Sequence, residues 1–107
     1  MVIVCGVLTG LNKGAFCHCS SLTSVTIGNS VTSIGDSAFW GCYPKTVLYK
    51  GTAEQWDKIS IKSSNMYLTG AARYYYSKSE PTLNSDGTAY NGNFWHYDTD
   101  GVTPVIW

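Results

Sequence analysis

The sequence has little charge, and this limits the partners it suits. Of 107 residues, seven are basic and seven are acidic, a 13% charged share that is about half the usual one. The balanced charge argues against binding to nucleic acid or to an anionic membrane surface. No apolar run approaches the ~18 residues that a membrane span requires. The apolar start, MVIVCGVLTG, lacks the basic region and cleavage pattern of a signal peptide, so we interpret it as a strand.

The residues that are abundant favour strands and turns. Ser, Thr, Gly and Tyr dominate, with 11 Gly and eight Tyr, a composition that suits a β-rich chain better than a helical bundle. The length allows one modest domain.

A repeat with a period of 23 residues organises the first half of the chain. GAFCHC (14–19) and SAFWGC (37–42) share Ala, Phe and Cys at equal spacing. A period in the twenties is typical of solenoids with one strand per turn. Seven matched pairs are apolar or identical: Val2/Val25, Val4/Ile27, Leu8/Val31, Leu11/Ile34, Ala15/Ala38, Phe16/Phe39 and Cys19/Cys42.

Within one unit, apolar residues alternate with polar ones and a turn follows. Val25 and Ile27 alternate with hydroxyl residues, as a strand with one buried face requires. Gly28-Asn29-Ser30 supplies the turn. We expect the core to contain the apolar members of each unit: the seven matched pairs and Leu22.

The stretch AFCHCSSLTSVTIGNSVTSIGDSAFWGC resembles the BspA-like class of leucine-rich repeats. Units of that class read approximately Ile-Gly-x-x-Ala-Phe-x-x-Cys-x-x-Leu-x-x-Val-x-Ile-Pro-x-x-Val. This chain has Gly28 where the family often has Pro, and Asn12 where its own second unit has Gly35. The resemblance covers about residues 2–50, and the remainder resembles the closing segment that follows such repeats in bacterial surface proteins.

The third unit predicts where the repeats end. A strict spacing puts Lys50 at a buried position, so we expect a bend one residue shorter, with Val47 and Tyr49 inward. Thr52 to Gln55 form a capping-box pattern, which predicts a short helix that buries Ala53, Trp56 and Ile59. We expect the strand at 74–76 and a hairpin of FWHY and PVIW to form a small capping sheet.

These patterns predict a mainly β solenoid of 23-residue leucine-rich repeat coils, closed by a C-terminal cap of one short helix and a small β-sheet. The predicted division is residues 1–50 for the solenoid, with about two full repeats and a partial third, and residues 51–107 for the cap. The first strand, with apolar residues on both faces, presents an uncovered edge. We therefore expect a C-terminal fragment of a longer repeat protein, or end-to-end self-association through the N-terminal coil.

The cysteines and histidines do not form a recognisable chemical site. Zinc ligands come in pairs spaced C-x₂₋₄-C, and Cys17-x-Cys19 with a lone Cys42 lacks a second pair. Coils stack at about 4.8 Å, wider than the about 3.8 Å between the Cβ atoms of a disulfide, so we expect free thiols. Cys5 or Cys17 with His18 or His96 lacks a catalytic signature. We predict no catalytic residue, no metal and no cofactor.

The C-terminal segment GNFWHYDTDG contains two motifs with alternative interpretations. Asp98 to Gly101 (DTDG) echo a calcium loop but lack its bidentate Glu, so we expect a hairpin turn. The aromatics superficially resemble choline-type cell-wall-binding repeats, whose cation–π cages need successive copies. We expect an aromatic core here, with a glycan site as the alternative. The residues proposed for a ligand surface are Thr26, Tyr75, Trp95 and Tyr97.

The resemblance implies a non-catalytic protein-interaction and adhesion module of an extracellular or cell-surface bacterial protein. Its partners would be host or bacterial surface proteins. Two alternatives stay open: a cell-wall or carbohydrate-binding module that uses the C-terminal aromatics, and a purely structural cap or spacer.

Overall fold

The structure, a computed structural model, describes the backbone of residues 2–5 and all of residues 10–107. Its elements are short strands and two short helices. In chain order they are β1 (Val2–Cys5), β2 (Gly10–Leu11), β3 (Ser24–Ile27), β4 (Ser33–Ile34), β5 (Thr46–Tyr49), α1 (Ala53–Asp57), β6 (Ser60–Ile61), α2 (Met66–Thr69), β7 (Ala72–Tyr76), β8 (Phe94–Tyr97) and β9 (Pro104–Ile106).

Successive repeat units lie side by side because each contributes one strand to each of two sheets. The larger sheet has the order β1-β3-β5-β7-β8-β9 and the smaller one β2-β4-β6. Every pairing among the described strands is parallel except β8 with β9, which is antiparallel. Neighbouring repeat units therefore stack through two parallel ladders, and the larger sheet becomes mixed at its C-terminal end. The predicted solenoid with a C-terminal cap is confirmed only in part, and a closed solenoid stays a prediction.

The predicted pairing of the first strand is wrong by one residue. Ile3 pairs with Val25 and Cys5 with Ile27, whereas the 23-residue period predicted Val2 and Val4 at these places. The period does hold in the smaller sheet, where Leu11 pairs with Ile34. The connection from β1 to β2 is one residue shorter than that from β3 to β4, and this moves the strand register. Leu8 lies outside the described residues.

The shortened register predicted for the third unit is confirmed. Val47 pairs with Val25 and Tyr49 with Ile27. Both are buried, whereas Lys50 is only partly covered, so the ammonium group stays accessible to water. The next unit departs from the 23-residue period because α1 lengthens it: Ser60 pairs with Ser33 in the smaller sheet.

The core lies between the two sheets and contains most of the residues that the repeat predicted. Phe16 stacks on Phe39 with ring centroids 5.3 Å apart, as expected for equivalent residues of neighbouring coils. Phe39 is fully buried, while Phe16 and Cys19 are partly buried against the same cluster. Ala15 is exposed, contrary to the prediction, although its equivalent Ala38 is buried.

The capping box that the sequence predicted is present at α1. The Thr52 hydroxyl accepts a hydrogen bond from the Gln55 amide at 3.2 Å, and the Gln55 side chain accepts one from the Thr52 amide at 2.9 Å. Trp56 and Ile59 are buried as expected, but Ala53 is exposed. The expectation of one helix is wrong, because α2 follows β6 within the described chain.

The C-terminal strands continue the sheet of the repeats. β7 extends the parallel ladder beside β5, β8 pairs with β7, and β9 completes the predicted hairpin. A separate capping sheet is therefore not what these strands form. The division of the chain at residue 50 stays a prediction.

Asn65 ends the backbone hydrogen bonding between equivalent turns of neighbouring coils. In the preceding pair of units, the Phe16 amide donates to the Ala38 carbonyl. The equivalent Phe39 amide donates to the Asn65 side-chain oxygen at 2.9 Å, because the Asn65 carbonyl accepts the Leu68 and Thr69 amides of α2. One side chain thus satisfies a buried donor at the point where the backbone turns into a helix.

Candidate functional site

Thr26 is buried, which corrects the expectation that it lies on an exposed ligand surface. It keeps only 4% of its surface exposed. In the larger sheet it sits between Val4 and Leu48 on the neighbouring strands, and Leu48 is also buried. A buried residue with a strand on each side has no free surface for a partner.

Trp95 is also buried, so it is not available as an exposed ligand contact. Its indole Nε1 donates to the Tyr49 carbonyl oxygen at 2.9 Å. The Tyr76 and Tyr97 rings both pack edge-on against this indole, with centroids 5.2 Å and 4.9 Å from it, respectively. The two tyrosine rings are tilted against each other. Trp95 is therefore the centre of an aromatic core between β7 and β8.

Tyr75 and Tyr97 are partly buried and lie in different surroundings. Tyr75 packs edge-on against Tyr49, and its hydroxyl accepts a hydrogen bond from Arg73 Nε at 2.9 Å. Tyr97 contacts Trp95, and the Lys50 ammonium group lies 5.3 Å from the centre of its ring. The structure brings Trp95 and Tyr97 together, and a ligand role for either tyrosine stays a prediction.

Three cysteine thiols in the described part of the chain are free, and Cys42 is buried in the core. Cys17, Cys19 and Cys42 carry no disulfide. The Cys42 thiol donates to the Phe16 carbonyl oxygen at 2.7 Å, and burial raises its pKa. A raised pKa keeps this thiol protonated and unreactive. Over residues 10–107, no cluster of three His, Cys, Asp or Glu side chains is arranged to hold a metal ion.

The DTDG segment is the hairpin turn that the sequence predicted. The Asp100 carboxylate accepts hydrogen bonds from the Val102 and Thr103 amides, at 2.8 and 2.9 Å, and from the Thr103 hydroxyl at 2.6 Å. The Thr103 hydroxyl and these amides lower the pKa of Asp100 to about 2. The carboxylate is used within the turn that joins β8 to β9.

Sequence reasoning missed a surface cluster of large side chains, which we call the aromatic edge. The exposed fractions are 41% for Trp40, 57% for Tyr43, 60% for Met66 and 42% for Tyr67. The Tyr43 and Tyr67 rings are 4.6 Å apart. A signal was present: Trp40 and Tyr67 hold equivalent positions in successive units, given the pairing of β4 with β6.

Sequence reasoning also missed a cleft beside the C-terminal hairpin, which we call the hairpin cleft. It is an open cleft of about 550 Å³ between the 77–93 loop and the β8–β9 hairpin. Four aromatic residues contribute to its walls, and it also contains hydroxyl and amide groups. Its lining includes Tyr74, Thr88, Tyr90, Asn93, Phe94 and Trp107.

None of the helices among the described residues is long and apolar enough to cross a membrane.

Comparison with known proteins identifies the repeats. A family model described as "BspA type Leucine rich repeat region (6 copies)" matches residues 4–77. A search of curated proteins and a search of solved structures found no match. The matched residues are more than half of the chain, and they coincide with the parallel ladder from β1 to β7. The chain therefore belongs to the BspA-type leucine-rich repeat family.

Proposed function

We propose that the chain is a non-catalytic adhesion module of a bacterial cell-surface protein, and that the aromatic edge binds its protein partner. Family membership supports a protein-interaction role and a surface location. The observation that carries the proposal is the exposure of Trp40, Tyr43, Met66 and Tyr67. The Tyr43 and Tyr67 rings are in contact, and Trp40 holds the position equivalent to Tyr67 in the preceding unit.

The composition of the aromatic edge is that of a binding hot spot. Trp, Tyr and Met are enriched at the centres of protein interfaces, where they bury much surface at a small cost in side-chain entropy. A chain with 13% charged residues offers few ion pairs as anchors, so apolar contacts must supply the affinity. Large exposed apolar clusters on soluble domains commonly mark such sites.

The backbone beneath the aromatic edge is held in place. The Trp40 carbonyl accepts the His18 amide at 2.6 Å, and the Trp40 amide donates to the Ser37 carbonyl at 3.1 Å. The Tyr43 ring rests on Tyr67 of the next unit. A preorganised surface loses less conformational entropy on binding, and this favours affinity.

The test is binding to a panel of purified extracellular-matrix and bacterial surface proteins, measured by biolayer interferometry. The double variant Trp40→Ala/Tyr67→Ala should lose about 2 kcal/mol or more of binding energy, as hot-spot residues do. Val102→Ala is the matched control, because Val102 is also a large exposed apolar residue, in the β8–β9 turn. Equal binding by the double variant and the wild type would contradict the assignment of the aromatic edge.

The other roles expected from the sequence remain proposals. A wall-binding site that depends on Trp95 is not supported, because that indole is buried. A purely structural spacer predicts no saturable binding in the same panel. End-to-end self-association would pair β1, which ends the order of the larger sheet, with a second chain. Light scattering as a function of protein concentration tests it.

A further inference from the structure

The hairpin cleft has the chemistry of a saccharide site. Its lining contains four aromatic side chains, Tyr74, Tyr90, Phe94 and Trp107, and no Lys, Arg, His, Asp or Glu. Its volume of about 550 Å³ lies in the range of small-molecule sites. No charged side chain lines the cleft, although Glu80 bonds to the Tyr90 hydroxyl and Asp86 to Thr88 at its rim, so the lining offers an ionised ligand no direct ion pair.

Trp107 is held as a fixed platform on one wall of the cleft. His96 stacks on it with ring centroids 3.9 Å apart and planes inclined by 24°. The Tyr90 ring packs edge-on against Trp107, with ring centroids 5.9 Å apart. The Trp107 indole Nε1 donates a hydrogen bond to the Ser77 carbonyl oxygen at 2.8 Å. Because His96 covers one face of the indole and Ser77 takes its N–H, a ligand in the cleft would stack on the other face of Trp107.

The opposite wall is also ordered by its own contacts. Leu83 and Tyr90 form an antiparallel bridge within the 77–93 loop. The Asn84 amide donates to the Ala89 carbonyl at 2.8 Å, and the Tyr90 hydroxyl donates to Glu80 Oε1 at 3.1 Å. The cleft is therefore formed before any ligand enters, which lowers the entropic cost of binding.

Two polar groups at the cleft are available to a ligand. Within residues 10–107, the partly buried Tyr74 hydroxyl and the exposed Asn93 side-chain amide make no hydrogen bond. An amide offers both donors and an acceptor, and a phenol offers one of each. Neighbouring hydroxyl groups of a sugar need this combination beside an aromatic face.

These observations favour a sugar over a proline-rich peptide, the other common ligand of aromatic grooves. A pyranose ring places weakly positive C–H groups against the negative face of an aromatic ring. This stacking uses the face of the Trp107 indole and does not require a hydrogen bond from its N–H group. A peptide carbonyl would need the indole N–H, and Ser77 already occupies that group.

We propose that the hairpin cleft binds a neutral oligosaccharide, which stacks on Trp107 and hydrogen-bonds to Asn93 and Tyr74. This site goes beyond the protein-binding role of the aromatic edge and does not depend on it. The residues differ from the Trp95 and Tyr97 set that the sequence suggested, because that set lies in a buried cluster.

The test is an NMR titration of the ¹⁵N-labelled chain with cellotetraose, maltotetraose and chitotetraose, and separately with a polyproline decapeptide. At least one oligosaccharide should give a saturable shift of the Trp107 indole resonance. Asn93→Ala should weaken its binding about 2- to 12-fold, the effect of one lost hydrogen bond. Trp107→Phe should weaken it as well, because the platform becomes smaller.

Trp40→Ala is the matched control, since it removes an exposed indole from the aromatic edge and should leave the sugar affinity unchanged. Variant spectra with wild-type dispersion establish that the fold is retained. Three outcomes would overturn the proposal: no saturable shift at Trp107 up to about 10 mM of any of the three sugars, saturation by the polyproline peptide only, or sugar binding that Trp40→Ala weakens and Asn93→Ala does not.

Discussion

Replacing Asn65 with Ala should destabilise the chain more than the loss of a surface amide would. The side chain is 4% exposed. It accepts one hydrogen bond, from the Phe39 amide, and its Nδ2 donates to the Gly35, Lys62 and Ser63 carbonyls at 3.0, 3.1 and 3.3 Å. An amide nitrogen has two hydrogens, so about two of these three contacts count as full bonds.

The expected loss follows from these contacts. A net hydrogen bond contributes about 0.5–1.5 kcal/mol, and an orphaned buried group costs about 1–3 kcal/mol. We expect Asn65→Ala to lower the free energy of unfolding by about 2–4 kcal/mol. That is a large part of the about 5–15 kcal/mol that stabilises a typical domain. Asn65→Asp keeps the acceptor for the Phe39 amide but turns a carboxylate towards carbonyl oxygens. At pH 7 it should therefore be no more stable than Asn65→Ala, and its stability should rise in acid, where the carboxylate is protonated.

Urea denaturation followed by tryptophan fluorescence measures the change, with Asn29→Ala as the matched control. Asn29 is exposed in a turn, and its replacement should change stability by less than about 0.5 kcal/mol. Hydrogen exchange supplies a local reading, because the Phe39 amide should lose protection in Asn65→Ala. A loss of unfolding free energy below about 1 kcal/mol, or an unchanged exchange rate at the Phe39 amide, would refute the view that the Asn65 side chain stabilises the coil by binding this amide.

Three further predictions address the core, the hairpin and the thiols. Phe39→Ala should cost about 3–5 kcal/mol in thermal or urea unfolding because it opens a cavity beside Phe16, and a loss below about 1 kcal/mol would mean that the stacked pair is not part of the core. Asp100 has its pKa lowered to about 2 from about 3.9 in an unfolded chain, so the unfolded state takes up a proton first as the pH falls. The stability that Asp100 contributes should therefore be complete above about pH 4 and be lost towards pH 2, and Asp100→Asn should flatten this part of the profile. Thiol labelling of the native protein should find Cys42 protected and reduced, and denaturant alone should expose it; a Cys19–Cys42 bridge in non-reducing mass spectrometry would contradict this.

The periodic residues were sufficient to predict the repeat core. Val25, Ile27 and Ile34 recur at spacings that only stacked strands satisfy, so the parallel pairing and the Phe16–Phe39 stack follow from local pattern. The same holds for the capping box at Thr52, because its two hydrogen bonds join residues three apart in the chain.

The period alone could not predict the register of the first strand. Val2, Ile3 and Val4 are all apolar, so either face of β1 satisfies the hydrophobic pattern. A one-residue shift exchanges the faces of a strand, and the shorter connection to β2 selects the shifted register. The number of residues that join two strands depends on where each strand begins and ends in the folded coil, and the spacing of apolar residues does not reveal it.

The sequence by itself determined the repeat family, the stacked core and the C-terminal hairpin, because each rests on residues that are close in the chain or repeat at a constant interval. Only the tertiary structure decided which aromatic side chains are accessible. Trp95 is buried, and its indole donates a hydrogen bond to the Tyr49 carbonyl, 46 residues away in the chain. Trp40 keeps 41% of its surface exposed. Both are tryptophans in aromatic-rich segments, and long-range contacts alone distinguish a core residue from a binding surface.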